Sequence, residues 1–466
     1  MQAVIDAETS EHCVPGGAVG LLRRNQLLFV KCFGTTDQET GSLVSPLTIF
    51  QTGSISKLLT AIVVLILADE GRIDLHAPIG VHAESLDRDL ANLTMHQLLT
   101  HTAGLKDAGS LYGVRTDAAL SETLADWGGE YLFTTAGEVF SYSNPGYSLA
   151  GLVIEGVTKQ SFADAMRERL FAPLGMSSSR VSARVDVDSA YSAGHVATHR
   201  REGPILKLLA DNAEYRPAGY IFSTLQDLGR LMMAILNGGV LGNNQVLPTT
   251  ILELVAAIHA ILPGTGDRGH GHGHGHGHGH GHGHGHGHGH GYGYGYGYGY
   301  GLYVRRDDNR HIAGHTGFNA GFGARICLCI DTRTAVIVLT NQHAQTLTQT
   351  ANAAMDMLCP PTVALLSASR SQDTAAITPM SAYAGTYAQH SAEYVVRTQA
   401  GTLSLCSGAT EVALRRTGPD RFVYSIPEYP LPIEVIFSHR QDRGFRYLHT
   451  RSLAFRRLEP SLVTSG

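Results

Sequence analysis

The chain is 466 residues long, 43% hydrophobic and carries a net charge of −5. That length exceeds one ordinary domain and supports a large core; with no Lys/Arg-rich run, neither nucleic acid nor an anionic membrane is an expected partner. The longest apolar run, residues 58–68, is about half of the roughly 20 residues a membrane helix needs, so it reads as a core element.

Met1 to His12 is polar and lacks the apolar stretch of a signal peptide, so the expected location is the cytoplasm, or the periplasm or exterior if the true start lies upstream. Cysteines at 13, 32, 327, 329, 359 and 406 have neither metal-ligand nor framework spacing, and buried free thiols suit a reducing compartment. Gly17 to Leu22 and Leu27 to Cys32 predict a strand hairpin turning near Arg23-Arg24-Asn25-Gln26. Ser54-Ile55-Ser56-Lys57 then opens the apolar run, which predicts a buried helix closed by Gly71, with Ser54 in its first turn. A mostly helical region follows from about 90 to 260, with amphipathic pieces at Tyr147 to Val157, Ser161 to Arg169 and Leu225 to Asn237, the last capped by Ser223 and Asp227. It contains His101, read as a loop anchor, Trp127, read as packing, and the run Tyr142-Ser143-Asn144.

From Gly269 to Gly301 glycine alternates strictly, with histidine from His270 to His290 and then tyrosine from Tyr292 to Tyr300. Disorder is expected there, because glycine raises the ordering entropy and the histidine part has little to bury. Such a tract can bind nickel, zinc or copper, yet a perfect dipeptide repeat also reads as an incidental expansion of a native Tyr-Gly pair, and that reading is preferred. Strands are predicted at Gly301 to Arg305, His311 to His315, Gly323 to Ile330 and Ala335 to Thr340, the second ending in His315-Thr316-Gly317. A first region is placed at 1–362 and a linker at 363–380, Ser/Ala/Thr-rich at 367–378. Region 381–466 holds seven short strands, at Tyr383 to Tyr387, Glu393 to Thr398, Thr402 to Cys406, Val412 to Arg416, Phe422 to Ser425, Ile433 to Ser438 and Phe445 to Leu448, which predict a small barrel or sandwich.

The chemistry lies in the three short motifs. Lys57 alone among the lysines follows a serine by three places, and Tyr142 alone among the tyrosines precedes an Asn by two. A serine hydroxyl needs a neighbouring base before it can attack. In a helix, positions i and i+3 are neighbours, so Lys57 can reach Ser54. Burial lowers a lysine pKa toward the range a general base requires.

Phe50 to Lys57, Phe140 to Tyr147 and Gly314-His315-Thr316-Gly317 together resemble the serine β-lactamase-related hydrolases, in the branch of class C β-lactamases, D-alanyl-D-alanine carboxypeptidases, D-aminopeptidases and related esterases. Segments His96 to Leu105, Leu170 to Met176 and Ala218 to Thr224 support the likeness, which spans about residues 10 to 360. The resemblance implies an α+β fold: a β-lactamase-like antiparallel sheet flanked by helices, with a helical insert. Tyr383 to Tyr387 is similar to the opening of the lipocalin-like domain that several such hydrolases carry.

Residue by residue, the resemblance implies that Ser54 is acylated and that Lys57 and Tyr142 share the proton transfers, Tyr142 as phenolate or as neutral relay. Asn144 would bind Lys57 and the substrate amide, and the backbone N–H groups of Ser54 and Phe318 would form the oxyanion hole. No cofactor or metal is called for; the partner is a small-molecule or short-peptide substrate, and the oligomeric state is open. The chain departs from the usual Lys-Thr-Gly at His315-Thr316-Gly317, where a mostly neutral imidazole replaces a fixed cation. Esterase or D-amino-acid peptidase activity is therefore expected over efficient β-lactamase activity. The alternative is a non-catalytic or metal-binding protein working through the histidine tract.

Overall fold

The computed structural model describes residues 1–83, 86–108, 112–115, 120–181, 192, 194–195, 205–206, 210–263, 296–307, 310–361, 378–399, 401–426, 432–442 and 444–459. Helix α1 (Gln2–Glu11) is followed by strands β1 (Gly16–Arg23) and β2 (Gln26–Gly34). Six later strands join them: β3 (Ala260–Ile261), β4 (Tyr296–Tyr298), β5 (Tyr303–Asp307), β6 (Arg310–Asn319), β7 (Phe322–Cys329) and β8 (Thr334–Thr340). The sheet runs β2-β1-β8-β7-β6-β5-β4-β3, and its strand pairs are antiparallel. Early and late strands meet where Val19 pairs with Val338.

Side-chain alternation builds two cores from this one sheet. Val19, Leu21, Val336 and Val338 face α1 and the late helix Thr348–Leu358. Ala18, Leu22, Ala335, Ile337 and Leu339 face the larger helical layer. Helix α1 was not foreseen from its polar sequence, and its buried Glu8 gives it a purpose. The Glu8 carboxylate accepts from the backbone N–H groups of Gln349 and Thr350 at 2.9 and 2.7 Å, capping a helix that has no side-chain cap of its own.

The larger layer is built on α2 (Ser56–Asp69), α3 (Asn144–Thr158) and α4 (Leu225–Leu236). Eleven of the 14 residues of α2 are buried, as its unbroken apolar run requires, and Gly71 follows it at φ +70°. Ser54 does not lie in the α-helix: it sits in a 3₁₀ turn, Gly53–Ile55, that precedes it. The cap of α4 also differs from expectation. The Thr224 hydroxyl accepts from Asp227 N, while Asp227 and Ser223 bind Ser179.

The end of the glycine-tyrosine repeat is ordered structure, contrary to the expected disorder at that point. Tyr298 and Tyr300 are buried, and a Cβ on Gly301 would fall 2.7 Å from the Leu58 Cα. Glycine and tyrosine therefore alternate here because backbone contact and core burial alternate. His270 to His290 and most of the linker lie outside the described residues.

The C-terminal domain is a closed eight-stranded barrel, β9 (Gly385–Gln389), β10 (Ala392–Gln399), β11 (Thr402–Ser407), β12 (Thr410–Gly418), β13 (Arg421–Tyr424), β14 (Ile433–Gln441), β15 (Gly444–Thr450) and β16 (Leu453–Arg457). The unforeseen eighth strand closes the barrel by pairing Arg457 with Tyr387, which leaves no open edge. Its interior is aromatic, with Tyr383 stacked on Phe445 at 4.9 Å. Tyr447 and Ala454 pack the barrel onto Val139, in the loop that leads into α3. Among the described residues no helix is long and apolar enough to cross a membrane, and no His/Cys/Asp/Glu group could hold a metal ion.

Candidate active site

Three chain segments converge at the N-terminus of α2. Pairing of Phe50–Gln51 with Phe222–Ser223 fixes the approach to the turn carrying Ser54, and β6 is pressed against that turn from the other side. A Cβ on Gly53, at φ +55°, would lie 2.4 Å from Phe318 N, and one on Gly317 would lie 1.9 Å from Thr52 O. Only glycine permits this approach, which sets the backbone of the Ser54 turn directly against that of Phe318.

The motif around Tyr142 is the start of α3. Ser143 is its N-cap, accepting from Gly146 N at 3.3 Å, and Pro145 occupies the first turn. Tyr142 thus stands just outside the helix and Asn144 is its first residue. Tyr142 OH donates to Ser54 Oγ at 2.8 Å, and Lys57 Nζ stands 3.2 Å from the same oxygen.

Lys57 is fully buried and makes two further contacts, donating to Asn144 Oδ1 at 2.6 Å and to the Ala218 carbonyl at 2.8 Å. Burial lowers its pKa to about 7, with the Asp107 carboxylate pulling the other way. The Tyr142 phenol is shifted in the opposite direction. Desolvation, followed by the proximity of Tyr303, holds it well above its ordinary value despite the hydrogen bond to Ser54. At neutral pH the site therefore holds a neutral phenol beside an amine poised between its two forms.

Asp107 was missed by sequence reasoning. Its Oδ1 accepts from both Asn144 N and Asn144 Nδ2, at 2.9 and 3.0 Å, so it orients the amide that in turn orients Lys57. Burial raises its pKa, against the Asn144 hydrogen bonds and the Lys57 charge. The usable signal was a carboxylate three residues after Gly104, close behind His101; no spacing rule links it to Asn144. His101 lies at φ +58° and accepts from Ser143 N at 3.1 Å through Nδ1, with its ring 4.4 Å from that of Tyr142. It anchors the loop to the start of α3.

His315 sits on β6 with its ring 6.1 Å from that of Tyr142, and makes no hydrogen bond to Ser54. Its Nδ1 donates to the Thr316 carbonyl at 2.6 Å, which fixes the tautomer and leaves Nε2 buried without a partner. Burial, then the Lys57 charge, pushes its pKa down to about 3. It is neutral across the physiological range and gives the site no cation. Thr316 and Gly317 follow it along β6, and Phe318 is 49% exposed.

This arrangement can be set beside known proteins. A family model described as Beta-lactamase matches residues 1–356. Penicillin-binding protein 4 of Amycolatopsis lactamdurans is 31% identical over 250 residues, which are 51% of this chain and 64% of that protein. Protein flp of Staphylococcus aureus (strain MW2) is 26% identical over 237 residues, 49% of this chain and 47% of flp. The chain thus spans less than two thirds of the length of these curated relatives. Among solved structures, SurE superposes with a TM-score of 0.74 at 23% identity, over 98% of both chains. The octameric penicillin-binding protein homologue from Pyrococcus abyssi does so at 0.64 and 20%, over 97% of this chain and 98% of that one. At these identities the structural likeness speaks to the fold.

Proposed function

The chain belongs to the beta-lactamase family of serine hydrolases, and from that premise we propose that it cleaves an ester or amide bond through an acyl intermediate on Ser54. The surroundings of Lys57 carry the reading. An amine has three substituent positions beyond its carbon, and two are taken by acceptors that can only receive N–H bonds, Asn144 Oδ1 and the Ala218 carbonyl. The third faces Ser54 Oγ. In the neutral form that position is a lone pair, and the Ser54 hydroxyl donates into it.

Lys57 is then the base for acylation, and Tyr142 works as a neutral phenol. As Oγ attacks the substrate carbonyl carbon, the serine proton passes to Nζ. The carbonyl oxygen gains negative charge and is met by the N–H groups of Ser54 and Phe318, each such donor being worth about 10²–10³ in rate. Collapse of the tetrahedral species breaks the bond to the leaving group, which takes a proton from the ammonium through the Tyr142 hydroxyl. Water then attacks the acyl ester by the reverse relay, returning the proton to Ser54.

Neutral His315 argues for the substrate class. Without a fixed cation, a free carboxylate beside the reacting carbonyl gains little attraction, so esters and amino-terminal amides are favoured over penicillins. One solved relative is a structure of SurE with D-Leu, which makes a D-leucyl amide a useful probe here. The test compares p-nitrophenyl butyrate, D-alanyl and D-leucyl amides, and nitrocefin, with Ser54→Ala as control. Turnover of the ester or a D-amide that disappears in the variant supports the reading; equal turnover by the variant overturns it.

A further inference from the structure

We infer that the C-terminal barrel is a working half of the active site, in which Gln389 and Ser452 position the proton-transfer groups around Ser54; this rests on the acyl-serine reading above. The inference starts from a backbone requirement. Tyr142 precedes the N-cap of α3, so its N–H has no partner within the helix and must be satisfied from outside. The partner comes from another domain: Tyr142 N donates to the Ser452 carbonyl at 2.9 Å.

Ser452 lies in the two-residue turn between β15 and β16, where Arg451 and Ser452 have φ +50° and +66°. A hairpin turn with both central φ angles positive favours Asn-Gly. Here a serine occupies it, and its hydroxyl is used, accepting from Tyr303 OH at 3.2 Å. Backbone held in this region by two non-glycine residues persists where the surroundings over-determine it.

The neighbouring barrel turn does matching work. Gln389, buried at 4% exposure, donates from Nε2 to Ser141 Oγ at 2.9 Å and to the Ala454 carbonyl at 2.8 Å. Its Oε1 accepts from Asp107 N at 3.4 Å, and Ala454 N donates to Ser141 Oγ at 3.1 Å. One barrel side chain therefore binds the residue before Tyr142 and the backbone N–H of Asp107, whose carboxylate orients Asn144 and through it Lys57. The barrel thus holds the Tyr142 backbone directly and reaches Lys57 through Asp107 and Asn144, and a displacement of about 1 Å at such groups costs about a hundredfold in rate.

Full-length Gln389→Ala and Ser452→Gly test this, the second because glycine keeps the turn while deleting the hydroxyl. Kcat, KM, the pH profile and the rate of Ser54 labelling by a fluorophosphonate are read beside thermal unfolding. Gln389→Ala should lower kcat and labelling at least about tenfold, with KM within about twofold and the acid limb displaced. Ser452→Gly should lower both by about threefold, with KM little changed. Arg397→Gln, at an exposed barrel pair 3.9 Å from Glu411, should leave both unchanged. Wild-type kcat and labelling in both test variants, with or without a lower melting temperature, would reduce the barrel to a packing module and overturn the inference. Absence of labelling in the unmutated protein would instead remove the acyl-serine reading on which it stands.

Discussion

Asp107→Asn isolates the electrostatics of the base from its geometry. An asparagine oxygen can still accept from Asn144 N, so the bridge survives while the negative charge is lost. Charge and amine are joined through Asn144, by contacts of 3.0 and 2.6 Å on either side of one amide. The separation along that bridge is about 8 Å, and at an effective dielectric of roughly 20 the attraction is about 2 kcal/mol, or roughly one and a half pH units. The sign follows from what the carboxylate favours. It supports the ammonium, so its removal eases deprotonation of Lys57. With Lys57 at about 7 in the intact site, kcat/KM should fall about tenfold per pH unit below that point, and in Asp107→Asn the limb should move to about pH 5.5. The plateau should also drop, because a weaker base accepts a proton less readily. The assay is kcat/KM for p-nitrophenyl butyrate, which has no titrating group of its own, from about pH 5 to 9. An acid limb that stays near 7 in a folded variant would refute Lys57 as the base tuned by Asp107.

Other outcomes follow from the same geometry. Tyr142→Phe removes the hydroxyl that binds Ser54 and relays the leaving-group proton, so kcat should fall by about 10²–10⁴ with little change in KM; a fall of less than tenfold would mean the relay bypasses it. Lys57 titrates at about 7 when folded against 10.5 when free, so between those values the unfolded chain binds the extra proton. Stability should therefore rise with pH across that window, by up to about 1.4 kcal/mol per unit from this group, read as the difference between wild type and Lys57→Met in urea at pH about 7.5 and 9. Equal pH dependence in the two proteins would contradict the depressed pKa. Deleting His270 to His290 should leave hydrolysis within about twofold, whereas Tyr298→Ala, which empties a fully buried position, should cost about 3–5 kcal/mol of stability. A large loss of turnover in the folded deletion protein would give the histidine tract a catalytic part.

What the sequence revealed was what local pattern encodes. Short apolar runs marked β1 and β8, the longer all-apolar run marked α2, and three short motifs marked Ser54, Lys57, Tyr142 and Asn144, because a nucleophile and its base must be specific residue types at close spacing. Other features depended on distant partners. Glu8 makes sense only as the cap of a helix more than 300 residues later, and Asp107 and the Ala218 carbonyl only once Lys57 is placed between them. The serine in the last barrel turn reads as an ordinary turn residue until the Tyr142 N–H is found on it. The glycine-tyrosine repeat misled for a related reason. A pattern that suits low complexity equally suits a strand whose glycines touch backbone and whose tyrosines are buried, and sequence does not show what lies alongside.

The account stands on a covalent bond forming at one oxygen. Rapid acid quench during turnover of a slow ester, followed by peptide mapping by mass spectrometry, should find the acyl group on Ser54 in about stoichiometric amount and none in Lys57→Met. Acylation at another residue, or steady turnover with no acylated serine under conditions where deacylation is slower than attack, would contradict it.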